Sequence, residues 1–120
     1  MSEVIKAEKR VEALKAQVKF RDDLFALIDH PLYQKIIEQG FCTDNAARAV
    51  RESTNPLFNQ AQKDDSLGMA QAAGFLRRWV SATVTMANQA EDDLADSENL
   101  LRYLKAGGNY ADYQADPIEE

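Results

Sequence analysis

A lone histidine and a lone cysteine are the first groups in this 120-residue chain that could do chemistry. His30 has the side chain of a general base or a metal ligand, and Cys42 that of a nucleophile. A cysteine nucleophile needs a base within hydrogen-bond reach, yet these two residues fall on different expected elements. A zinc site needs three or four nitrogen or sulfur ligands, and there is no second histidine or cysteine to supply them. His30 also precedes Pro31, whose ring pushes the preceding residue out of the α region, so it reads as a helix-boundary residue. Cys42 reads as a small buried apolar side chain.

The other charged and glycine-rich clusters have the same double aspect. Asp92, Asp93 and Asp96, beside Glu91, could present carboxylates to a divalent ion, but a stable site wants more ligands than one helix face supplies. A solvated acidic face, able to meet a basic partner, is the alternative. Arg77-Arg78-Trp79 has the composition of a phosphate-and-stacking patch. Adjacent arginines on a helix diverge by about 100°, however, and Trp79 borders an apolar stripe where burial is expected. Gly107-Gly108 lacks the strand and lysine of a phosphate loop and reads as a helix terminator. No catalytic, cofactor or metal site is expected, and the chain reads as a non-enzyme.

Composition narrows the class. Hydrophobic residues make up 45% and charged residues 28%, as in a globular domain, with three prolines and five glycines to interrupt helices. The net charge of −6 is uneven: residues 1–55 balance nine basic against nine acidic side chains, whereas residues 56–120 hold five against eleven. That distribution speaks against a nucleic-acid footprint. The N-terminal MSEVIKAEKR has no apolar signal-peptide core, and no run approaches the roughly 18 apolar residues of a membrane span. The expected location is a reducing cytoplasm, with no membrane partner.

The elements follow from spacing. Ser2 can cap a helix over residues 3–29, in which Val4, Ala7, Val11, Leu14, Val18, Phe25 and Ile28 keep an a/d heptad broken only by Arg21. Leu24 and Leu27 widen the stripe. A short helix, 31–39, should start at Pro31, turn Leu32 and Ile36 inward, with Tyr33 and Ile37 as further candidates for that face, and end at Gly40 in a left-handed conformation. A third helix, about 44–52, should bury Ala46, Ala47 and Val50. After the break at residues 53–56 and a polar stretch over 59–65, Ser66 should cap a second long helix carrying Met69, Ala73, Leu76, Val80, Thr83, Ala87, Ala90 and Leu94. Asp96 and Ser97 could begin a new helix, so residues 66–106 read as one helix or two.

The expected fold is therefore all-α, an antiparallel coiled-coil-like hairpin of two long helices with two short helices at one end. Residues 1–108 form one domain and 109–120 an acidic flexible tail. The seam of Val4, Val11, Leu14 and Val18 specifies a helix partner, lying either in the same chain or in another copy or protein.

The segment LFALIDHPLYQKIIEQGFCTDNAARAVRE, residues 24–52, resembles small helical accessory proteins of tailed bacteriophages. The matching features are the apolar helix, Gly40-Phe41 and the Ala46–Arg51 stretch, followed by an alanine- and methionine-rich helix over residues 69–90. The resemblance implies a phage accessory protein acting in virion assembly, in the host cytoplasm or the virion, and the a/d surface left over near residues 4–18 adds the expectation of a homo-oligomer or a protein partner met by helix–helix association. The acidic face of Asp92, Asp93 and Asp96 supports a second expectation, an acidic inhibitor or regulator of a host protein, such as one that handles nucleic acid.

Overall fold

The computed structural model describes residues 2–113, and every regular element among them is helical. In order these are α1 (Glu3–Asp29), α2 (Pro31–Tyr33), a π-helix (Gln34–Asn45), α3 (Ala46–Ser53), α4 (Gln60–Lys105) and a single 3₁₀ turn (Tyr110–Asp112). The chain divides into two compact units, one built from Met1–Asp22 with Val84–Glu120, the other from Asp23–Thr83. The acidic tail expected over residues 109–120 lies outside the described residues beyond 113; within them, the Tyr113 ring sits 5.2 Å from that of Tyr103.

In the first unit α1 and α4 run antiparallel. Glu8 pairs with Lys105 (3.5 Å), Lys15 with Glu98 (3.9 Å) and Arg21 with Glu91 (2.5 Å), so the partner's number falls as α1 advances. Ser2 caps α1, its Oγ accepting from the Ile5 N–H at 3.2 Å. Between the helices, Ala7, Val11 and Leu14 are buried with Ala87, Ala90 and Leu104. Alanine at two of the α4 positions leaves room for the larger α1 side chains and lets the backbones approach closely. Whereas the Arg21 side chain is largely covered, the Glu8–Lys105 and Lys15–Glu98 pairs are exposed and worth little in stability. Their contribution is to register.

The second unit departs from the sequence reading at several places. Gly40 does not end a helix: residues 34–45 form a π-helix that runs straight through it into α3. Its backbone is helical, not left-handed, and a Cβ there would make an ordinary contact, 3.4 Å from the Lys35 carbonyl. The wider winding shifts the register. Leu32 and Ile36 are exposed, and Tyr33 and Ile37 are half-buried in their place. In α3 the buried residue is Ala49, while Val50 is exposed. The Thr43 hydroxyl donates to the Glu38 carbonyl five residues back, following the π pitch.

α4 starts before Ser66 and runs past Asp96. Its cap is Asn59, whose Oδ1 accepts from Gln62 N–H at 2.8 Å while Gln62 Oε1 accepts from Asn59 N–H at 2.9 Å, a reciprocal capping box. The helix then continues unbroken for 46 residues. It ends in a Schellman motif: Gly108 N–H donates to Tyr103 C=O (3.0 Å), Gly107 N–H to Leu104 C=O (3.1 Å), and Gly107 adopts φ +91°. The Gly107→Ala variant is expected to lose about 1 kcal/mol in chemical denaturation, because only that backbone angle is strained. Gly108→Ala acts differently. Its Cβ would clash with the Tyr103 ring, displacing the ring from its hydroxyl bond to the Asn109 carbonyl and from Tyr113, which tyrosine fluorescence reads.

Candidate interaction surface

The residues singled out for chemistry are placed in structural roles. The His30 Nδ1 accepts the Leu32 N–H at 3.0 Å and caps α2, with Pro31 in the first helical position. Cys42 is a buried free thiol inside the π-helix. Arg77 pairs with Glu38 at 3.2 Å, and the Arg78 guanidinium lies 5.8 Å from the Phe75 ring centroid, so neither arginine projects freely for phosphate. Trp79 is 50% exposed, not buried beside the stripe as its position suggests. Among the described residues, no group of three His, Cys, Asp or Glu side chains converges on a point that could hold a metal.

The acidic face is partly used by the fold. Asp93 stands 4.0 Å from Arg10, and Glu91 holds Arg21. Asp92 and Asp96 are four residues apart on α4, with Asp96 exposed and Asp92 on the same acidic run. Arg21, the one polar residue on the heptad, is the best-anchored side chain of the seam. Its guanidinium bonds Glu91, Asn88 Oδ1 (2.7 Å) and Asp22 Oδ1 (3.1 Å). The Glu91 hydrogen bond chiefly raises its pKa, against a smaller lowering by desolvation. A charge held this way penalises any slipped pairing of the helices, because a slip would leave it unpaired.

The seam positions named from sequence are mostly covered within the chain. Val11 and Leu14 are each 6% exposed, while Val4 and Val18 are half-buried. On the same helix segments Ile5, Phe20 and Met86 remain exposed.

Large apolar side chains are exposed in both units, and in the second unit three of them gather around one hollow. The break at His30-Pro31 turns the chain so that Leu27, from the last turns of α1, meets Leu32 and Ile36 around one shallow hollow of about 380 Å³, completed by His30, Tyr33 and Ile37. Leu27, Leu32 and Ile36 are 56%, 58% and 57% exposed. Burial pushes the Tyr33 hydroxyl above its ordinary pKa, with the nearby Glu38 charge adding to the shift, so it stays a neutral phenol. Three aliphatic side chains standing in water around an aromatic-lined depression are the composition of an interface centre, not of a catalytic cleft.

Sequence reasoning missed this surface because it assigned Leu32 and Ile36 to the core by α-helical spacing. The signal that was present is their abundance: residues 24–37 hold more large apolar side chains than one short helix can bury. No known family, curated protein or solved structure matches this chain. Among the described residues, no helix is long and apolar enough to cross a membrane.

Proposed function

We propose that this chain is a non-enzymatic interaction protein that binds a protein partner through the apolar surface of residues 27–37. The observation that carries the reading is the exposure of Leu27, Leu32 and Ile36 around a single hollow. Keeping three such side chains in water is unfavourable by about 25 cal/mol for each Å² of apolar area, and a partner that covers them recovers that free energy. The finer assignment, an accessory protein of tailed bacteriophages acting in virion assembly, rests on the resemblance of residues 24–52. Helix–helix association is common to both levels of the reading, but its locus moves from the α1 seam to the corner between α1 and the π-helix.

A photo-crosslinking residue placed at Leu32 in the full chain tests the proposal in the cells that make it. Discrete protein adducts are expected from position 32 and not from exposed Gln17 on the first unit. Equal labelling at the two positions, or none at 32, removes the reading. The second reading, an acidic regulator, draws on the run of Asp92, Asp93 and Asp96 along α4. It calls for binding that weakens with salt and with Asp92→Asn plus Asp96→Asn.

A further inference from the structure

Within the second unit α4 carries another apolar stripe beside the one it covers. Ala73 is buried and Leu76 and Val80 are half-buried. One position earlier at each step stand Ala72, Phe75 and Trp79, about 100° round the helix. With Gly68 before them and Ala82 after, these residues keep alternating steps of four and three, the heptad of a helix that meets another helix. Much of this stripe stands in water: Phe75 is 58% and Trp79 50% exposed, and Gly68 and Ala82 are exposed as well. A Cβ at Gly68 would meet nothing within 4 Å. Glycine is a poor helix former, and no neighbour in this chain calls for one there. A second backbone laid close across α4 would, because Gly68 and Ala72 form a low ledge before the two rings.

The charge beside the stripe has one sign. Residues 66–83 contain no acidic side chain and two basic ones, in a chain of net charge −6. Arg77 is engaged with Glu38. Arg78 occupies the flanking position between Phe75 and Trp79, its guanidinium 5.8 Å from the Phe75 ring centroid, and it forms no ion pair among the described residues. A guanidinium resting on a ring still presents N–H groups at its edge, where a carboxylate can accept them.

We propose that this face of α4 binds an acidic amphipathic helix of a partner protein. Large apolar residues of that helix sit over Gly68 and Ala72, small ones pack against Phe75 and Trp79, and a flanking carboxylate meets Arg78. Residues 68–82 span about 21 Å, so the engaged segment is about four turns long. This surface is distinct from the hollow of residues 27–37 and does not depend on it.

Trp79 is the chain's only tryptophan, so its emission reads the face directly. The probe is a synthetic helix of about three heptads with leucine and alanine at a and d and glutamate at e and g, titrated into the full chain; a second peptide carries lysine in place of glutamate. The glutamate peptide is expected to shift Trp79 emission to the blue and to bind about tenfold more tightly than the lysine peptide. Arg78→Glu should reverse that preference. Gly68→Leu puts a side chain into open space, so it should keep the helical circular dichroism while binding the glutamate peptide about tenfold more weakly. Leu32→Asp, in the hollow, should leave the binding unchanged. No shift with either peptide at millimolar concentration overturns the proposal, as does wild-type binding by Gly68→Leu or equal binding of the two peptides. A blue shift that grows with the concentration of the chain alone, and that neither peptide alters, assigns the face to a second copy and overturns it too.

Discussion

Val11→Asp is expected to abolish the pairing of α1 with α4 in the first unit, lowering stability by about 4 kcal/mol or more. Val11 is 6% exposed and sits mid-seam, so the new carboxylate would be buried without a partner, or the helices would part to wet it. Against the roughly 5–15 kcal/mol that holds a typical domain, such a loss is a large share of the whole. Urea unfolding followed by circular dichroism measures it. Val4→Asp, at a half-buried position near the start of the same stripe, should cost markedly less. From sequence alone Val11→Asp looks like a probe of association between molecules. With α4 covering the seam it becomes a probe of the unit's own stability. An unchanged midpoint would mean that the seam is not the first unit's core.

Ala87→Leu should be the second most damaging change, at about 1–3 kcal/mol, although it adds apolar surface. Ala87 is 1% exposed and Ala90 3%, and both face the α1 seam. The close approach of the two backbones depends on these short side chains. An isobutyl group there must adopt a strained rotamer or wedge the helices apart, which strains the flanking ion pairs as well. Ala95→Leu places the same group on the exposed side of α4 and should change stability by no more than about 0.5 kcal/mol. The contrast between the two substitutions, read in one denaturant series, separates packing from helix propensity. Equal effects would show that the α1–α4 contact is loose at Ala87.

Both expectations rest on features legible in the order of the residues alone. The heptad of Val4, Ala7, Val11 and Leu14 pointed at its partner because a/d spacing fixes which face is apolar, whatever covers it. Arg21 stood out as a break in that heptad, and it is where polar anchoring occurs. The stripe through Ala87 and Ala90 was equally plain, although the limits of its helix were not. Asn59 and Gln62 spell a capping box, but Ser66 after two aspartates was an equally good start by local rules. Ser97 offered a cap that the unbroken helix ignores. Such ties are resolved by tertiary packing, which local rules do not contain.

The second unit was less legible for a different reason. Gly40 after Gln39 has the look of a helix stop, and the i, i+4 spacing of Leu32 and Ile36 has the look of a buried face. Both readings assume an α pitch. A π-helix rotates each residue less, so the same letters face other directions, and little in composition distinguishes the two windings. The change of pitch bears on Ile36, in the π-helix; Leu27 and Leu32 lie in α1 and α2, where the turn at His30-Pro31 sets their direction.

The division of the chain has a kinetic consequence. The first unit is assembled from two stretches of sequence with the whole of Asp23–Thr83 between them. Bringing those stretches together carries a loop-closure entropy, whereas most contacts inside the second unit join near neighbours in sequence. The second unit therefore has the kinetic advantage, and once formed it acts as a tether that sets the effective concentration of α1's first half around α4's second half. A backbone cut in the non-helical stretch of residues 54–59 would sever the direct covalent link between α1 and α4. The seam would then have to find its partner as one polypeptide finds another, at a rate and an affinity that depend on dilution.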